Sequence, residues 1–170
     1  MPGLKRVAVF MGTRPEAIKL APVVAALRRR PDLETAVVAT GQHREMLEQV
    51  VRVFEIQVDH DLAVMQPDQT LASLTSRLIA RIDEFLEGHR PDLALVQGDT
   101  TTVLAAALAC FYRRVPIGHV EAGLRTGDLL APFPEEANRR LAAPLVTLHF
   151  AATELARRNL LAEGIDAGAI

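Results

Sequence analysis

Short, almost wholly apolar runs alternate with longer helical patterns along the whole chain, and this alternation constrains the fold more than any other feature. The apolar runs fall near Arg6–Phe10, Thr35–Thr40, Leu93–Gln97, Ile117–Glu121 and Leu145–Ala151, with a short extra strand expected near Val58. Between them the spacing predicts helices at Pro15–Arg30, Arg44–Phe54, Thr70–Glu87, Thr101–Arg113, Glu135–Ala142 and Glu154–Ala162. A strand that is apolar at nearly every position is buried on both faces, as in a parallel sheet covered by its own crossover helices. Right-handed crossovers then give a doubly wound, Rossmann-like α/β sheet. With 170 residues, the chain fits one domain with a core of ordinary size.

The same alternation says where chemistry belongs. In a parallel sheet every strand-to-helix loop lies on the carboxyl edge, where open α/β sheets bind ligands. Four of these loops are polar and contain glycine: Gly12 to Glu16, Gly41-Gln42-His43, Gly98 to Thr102, and Glu121 to Thr126. They are therefore expected to converge although they span more than a hundred positions. The densest charge follows the fourth strand, in HVEAGLRTGDLLAPFPEEANRR, which runs from His119 to Arg140. Charge at the end of a buried strand does little for folding and marks a candidate active site.

Composition narrows the function. The net charge of −2 is not that of a nucleic-acid binder, which is normally clearly basic. The longest fully apolar run, Val103 to Tyr112, is too short to span a bilayer, and no apolar signal region opens the chain. The single cysteine, Cys110, cannot form an internal disulfide, so the expected compartment is a reducing cytoplasm. Set in LAAALACFY, it reads as a buried, inert thiol. His43 and His119 lack metal-ligand spacing, so no metal site is expected, and His119 reads as a buried, hydrogen-bonded residue.

Each motif has a structural and a chemical reading. Thr13 and Glu16 have capping-box spacing, and Pro15 suits a first helical turn. That helix start also presents free N–H groups and a positive dipole end, which suits phosphate. Arg14 and Lys19 add cationic charge there; all but two of the nineteen basic residues are Arg, and Lys19 is one of the exceptions. The segment matches neither the G-x-x-x-x-G-K-S/T phosphate loop nor the G-x-G-x-x-G dinucleotide fingerprint, which argues against ATP or NAD. Asp99 suits equally an N-cap or a cleft-facing acid, since Thr100 caps as well. Glu121 directly follows its strand and needs a partner if buried, for which Arg125 is a candidate. One of the Glu135-Glu136 pair suits a purely structural role in a first helical turn. Asp99, Glu121 and Glu135 in one cleft form a set in which like charges favour retention of a proton by at least one carboxyl. That equips a site for proton abstraction beside a phosphorylated leaving group.

Five segments, GTRPEAIKLAPVV, TGQHREML, VQGDTTTVLAAALA, GHVEAGLRTGD and PFPEEANRRL, resemble in order and spacing the N-terminal half of the non-hydrolysing UDP-N-acetylglucosamine 2-epimerases. The likeness covers essentially all 170 residues, with one small departure, Phe-Met-Gly where the family often has Phe-Gly. The resemblance implies the first domain of a GT-B-like two-domain enzyme, with residues 1–170 as the N-terminal Rossmann-like domain and a C-terminal UDP-binding domain beyond this chain. It implies interconversion of UDP-GlcNAc and UDP-ManNAc by anti elimination of UDP and re-addition through 2-acetamidoglucal, without a cofactor. A hydrolysing relative giving ManNAc and UDP, or a lone ligand-binding or dimerisation domain, are the alternatives. It places Asp99, Glu121 and Glu135 as catalytic carboxylates, Arg14, Lys19 and Arg139 on the substrate phosphates, and Gln42 and Glu136 in segments that match an activator site. It also implies a cytoplasmic homodimer serving cell-surface polysaccharide biosynthesis, and an isolated domain that is inactive.

Overall fold

A computed structural model describes residues 4–41 and 53–170. Six parallel strands form one sheet: β1 (Lys5–Met11), β2 (Leu33–Ala39), β3 (His60–Asp61), β4 (Leu93–Gln97), β5 (Ile117–Ala122) and β6 (Leu148–Ala151). Their order across the sheet is β3-β2-β1-β4-β5-β6, the doubly wound arrangement expected from the alternation. Among the described residues five helices cover it: α1 (Arg14–Arg28), α2 (Leu71–His89), α3 (Thr101–Arg113), α4 (Glu135–Ala142) and α5 (Glu154–Ala162). The helix expected at Arg44–Phe54 lies almost wholly outside the described residues.

The strands divide two cores by simple alternation. Val7, Val9 and Met11 of β1 pack with Ala17, Leu20, Ala21 and Val24 of α1 on one face of the sheet. Ala8 and Phe10 point the other way, toward Leu74, Leu78, Ile82 and Phe85 of α2 and the alanines of α3. These are the periods of two and about 3.6 that the sequence displays. Small residues along α3 (Ala105, Ala106, Ala107, Ala109) are completely buried, and Arg113 at its end forks onto both oxygens of Asp83 of α2 at 2.6 Å. Cys110 is buried among them, and desolvation pushes its thiol up to about 12, so it is inert at neutral pH.

Several boundaries differ from the sequence reading, and three of the differences have a local reason. The last strand begins at Leu148 rather than Leu145, because Ala143–Leu145 winds as a 3-10 turn around Pro144, continuing α4. The extra strand is His60–Asp61, paired with Val38 and Ala39, two residues beyond Val58. Helix α1 stops at Arg28, just short of Pro31, whose ring disfavours helical geometry at Arg30. Among the described residues no helix is long and apolar enough to cross a membrane.

Candidate active site

Strands β1 and β4 are neighbours although the chain visits β2 and β3 between them. The loop leaving β1 enters α1 on one face of the sheet, and the loop leaving β4 enters α3 on the other. A crevice must open where two such loops part. It is a cleft of about 550 Å³, walled by the β1–α1 loop, the β4–α3 loop, the end of β5 and the start of α4. Arg14, Lys19, Asp99, Glu121 and Glu135 all line it.

Glu16 ties the first two walls together. It is 2% exposed, and one carboxylate oxygen accepts the backbone N–H groups of Gly12 at 2.7 Å and Thr13 at 2.6 Å. This is the reach-back half of a capping box. The other oxygen accepts the hydroxyl of Thr100 at 2.5 Å, 84 positions along the chain. Burial pushes the Glu16 carboxyl above the usual carboxylate range, while the Thr100 hydroxyl and the two N–H groups act in the opposite direction. Because Thr100 stands at the N-cap position of α3, Glu16 sets the spacing between the loop that carries Arg14 and the loop that carries Asp99. Sequence reasoning gave Glu16 only its capping role; the tie to Thr100 depends on the packing of two distant loops.

Glu121 leaves the sheet in an unusual way. The pairing of β5 with β6 is irregular between Val120 and Ala122, and Glu121 has φ of +67°. A residue with a Cβ held in the left-handed region stores about 1–3 kcal/mol of strain, and such residues gather at functional sites. Gly123 follows with φ of +86°. A Cβ there would lie 2.2 Å from the carbonyl oxygen of Ala156 in α5, so only glycine fits. The result is a sharp exit that turns the Glu121 carboxylate into the cleft. Its Oε2 accepts the Lys19 ammonium at 2.5 Å and the side-chain amide of Gln97. Arg125, the partner expected for Glu121, is carried past this turn and instead forks onto Glu163 with two bonds of 2.7 Å.

The last wall rests on a buried ion-pair chain. Thr100, not Asp99, is the N-cap of α3, which leaves the Asp99 side chain on the cleft. Its Oδ2 accepts Arg139 Nε at 2.9 Å and Nη2 at 2.8 Å, and Asn138 Nδ2 holds its carbonyl at 2.9 Å. Arg139 reaches back to Glu136 at 3.0 Å, and Glu136 also accepts the N–H groups of Thr126 and Gly127. Thus Arg139, expected on the substrate phosphates, spends its guanidinium on two carboxylates inside the protein. Glu136, expected at an activator site, is fully buried and anchors the Thr126–Gly127 loop. Helix α4 is amphipathic in charge: Glu136 and Arg139 face inward, one turn apart, while Glu135 faces the cleft. Among the described residues Glu135 has no protein partner for its carboxylate, and neither has the exposed guanidinium of Arg14. Gln42 lies outside the described residues.

His119 is buried and hydrogen-bonded, as the sequence reading expects, and its partner is the Gly98 turn: its Nε2–H donates to the Gly98 carbonyl at 2.6 Å. Desolvation pulls the imidazole down to about 4, so it is neutral at physiological pH. No group of three or more His, Cys, Asp or Glu residues is placed to hold a metal among the described residues. Among the described residues the site therefore combines one unpaired cation, one shared cation and three carboxylates in different settings: Asp99 clamped by Arg139, Glu121 bound on one oxygen, and Glu135 free.

Comparison with known proteins places the chain in a family. Residues 25–170 match the family model described as UDP-N-acetylglucosamine 2-epimerase. The UDP-N-acetylglucosamine 2-epimerase of Yersinia pestis is 56% identical over 160 residues, which are 94% of this chain and 43% of the relative. The crystal structure of UDP-GlcNAc 2-epimerase from Neisseria meningitidis bound to UDP-GlcNAc superposes with a TM-score of 0.93 at 51% identity, covering 98% of this chain and 44% of that one. The Methanocaldococcus jannaschii enzyme in complex with UDP-GlcNAc and UDP superposes with a TM-score of 0.92 at 34% identity, covering 97% and 45%. The chain thus spans less than half the length of the curated relatives it matches.

Proposed function

Since the chain belongs to the UDP-N-acetylglucosamine 2-epimerase family, we propose that it supplies the acid–base wall of an active site that inverts C2 of UDP-GlcNAc to give UDP-ManNAc. The observation that carries the reading is the convergence of Asp99, Glu121 and Glu135 on one cleft with Arg14 and Lys19. Epimerisation by elimination needs that set. A carboxylate removes the C2 proton while the C1–O bond breaks and UDP departs with the electron pair, leaving a C1–C2 double bond. UDP then adds back at C1, and a carboxyl acid delivers a proton to the opposite face of C2. Two acid–base groups on two faces, and cations beside the departing diphosphate, are the requirements.

Glu135, Glu121 and Asp99 are the candidates for proton transfer, since each retains at least one carboxylate oxygen without a protein donor among the described residues. Asp99 fills the third position, held in a fixed orientation by Arg139. Arg14 and Lys19 are assigned to the diphosphate, at the positive end of α1. Among the described residues no aromatic side chain lines the cleft to stack a uracil. That supports reading residues 1–170 as one domain of a two-domain site whose other wall binds the nucleotide. On this reading the 170 residues alone do not turn over, and the reaction is the non-hydrolysing one. A homodimer has its support in the exposed Phe111 and Tyr112 at the end of α3, and a cytoplasmic location in the lone buried thiol.

The test is incubation of the full-length gene product with UDP-GlcNAc in D2O. Deuterium at C2 with the UDP-sugar retained is expected. Free ManNAc would assign the hydrolysing reaction instead, and absence of C2 exchange would refute both. Asp99→Asn and Glu121→Gln are each expected to slow exchange by about 10²-fold or more, with the thermal midpoint close to that of the parent. Near-parental rates in both would leave these residues with ion-pair roles alone.

A further inference from the structure

We infer that Gln97 is a positioning residue for Glu121, holding one carboxylate oxygen so that the other exchanges the proton; the inference rests on the functional reading above. Gln97 is the last residue of β4 and is 2% exposed. The rest of that strand is Leu93, Ala94, Leu95 and Val96, and a fifth apolar residue would serve the sheet without the cost of burying an amide. Gln97 pairs in register with Val120, which sets its side chain beside Glu121 on the neighbouring strand. Its Nε2 donates to Glu121 Oε2, the oxygen that also receives Lys19. Oε1 has no donor among the described residues.

The two donors on Oε2 are not equivalent. Lys19 is half-exposed, sits on a long flexible stem, and is the cation for which an incoming diphosphate competes. Gln97 is buried, neutral and has no phosphate to serve. An amide N–H donates to Oε2 whether Oε1 is bare or carries a proton, so the anchor survives both halves of a proton transfer. Glu121 needs such an anchor because its backbone sits in a strained conformation and its carboxylate is about one-third exposed. When Lys19 turns to the diphosphate, Gln97 is what keeps Glu121 aimed.

The experiment compares kcat and KM for C2 exchange in the full-length gene product carrying Gln97→Met, which keeps length and removes the donor, and Gln97→Glu, which keeps shape and replaces the donor with an acceptor. Misplacement of a reacting group lowers turnover by about 10²-fold, so kcat is expected to fall 10- to 100-fold in both variants, with KM changed by less than about twofold. Parental kcat in Gln97→Met, or a rise in KM at unchanged kcat, overturns the inference. A second readout is independent of turnover. In the 170-residue chain, the Gln97 side-chain amide proton resonances are expected to move in Glu121→Gln, and unmoved resonances overturn the contact. If the parent shows no C2 exchange while those resonances move, the functional reading fails and the contact stands.

Discussion

Glu121 and His119 stand two positions apart on β5 and meet opposite electrostatic fates. Glu121 emerges into the cleft and gains two donors on one oxygen. His119 stays inside, where burial pulls it from 6.5 to about 4, and its neighbour in register, His149, is also lowered by desolvation. A histidine whose proton affinity is lower in the folded chain than in the unfolded one opposes folding whenever the unfolded form is protonated. The stability contribution is therefore complete above pH 6.5 and disappears as pH falls toward 4. For His119 it amounts to about 3 kcal/mol across that window, at about 1.4 kcal/mol per pH unit of separation. The thermal midpoint of the chain is expected to fall steeply between pH 6.5 and 4. Replacing His119 with Gln, which keeps a neutral donor toward Gly98, should flatten that decline by the equivalent of one proton. A Gln variant with the parental slope would assign the acid sensitivity to other groups.

At the scale of elements, the exit of β5 shows what the sequence made legible and what it concealed. Strand and helix positions were readable because a doubly buried strand leaves an apolar run and α2 leaves a clear stripe. The converging loops followed from parallel topology alone, and Asp99, Glu121 and Glu135 meet in the cleft as that topology requires. The partners did not follow. Lys19 and Glu121 lie 102 positions apart, and no local spacing announces that Lys19 touches a carboxylate before it meets a phosphate. Arg139 has the look of a phosphate ligand, yet its i,i+3 relation to Glu136 and the carboxylate of Asp99 claim its guanidinium. The φ of Glu121 was equally hidden, because glycine is the residue that ordinarily flags such geometry and here it comes two positions later. Gly123 itself is the point of contact between the β5 exit and α5. Gly123→Ala would press a methyl into the Ala156 carbonyl and force a left-handed conformation on a residue with a Cβ. Strain and overpacking together are expected to cost about 2–5 kcal/mol, read as a lower urea midpoint. A loss below about 0.5 kcal/mol would mean that α5 yields freely and does not brace the exit.

For the whole molecule, the doubly wound sheet gives the domain a polarity that its net charge of −2 conceals. Helices start at the carboxyl edge and end at the amino edge, so N–H groups and Arg14 gather at one pole. Arg90 and Arg114, the left-handed caps that end α2 and α3, stand at the other. Both poles carry a cleft with arginine, Arg90, Arg113 and Arg114 lining the one at the amino edge, yet among the described residues only the first adds a helix N-terminus to its cations. A diphosphate should therefore bind at one pole and not the other. Binding to the folded form alone at ten times Kd adds about 1.4 kcal/mol of stability, which for a chain of this size is about 3–5 °C in thermal midpoint. UDP is expected to raise the midpoint of the 170-residue chain by that order, and added salt should diminish the shift because the cations are partly exposed. Arg14→Ala should remove most of the shift. Lys19→Met should remove it as well, since it also leaves the Glu121 charge uncompensated beside the phosphates. Arg114→Ala, which alters the same charge at the amino edge, should leave it intact. Equal losses in Arg14→Ala and Arg114→Ala would show that UDP responds to overall charge alone, and the cleft at the β1–β4 switch would lose its claim on the diphosphate.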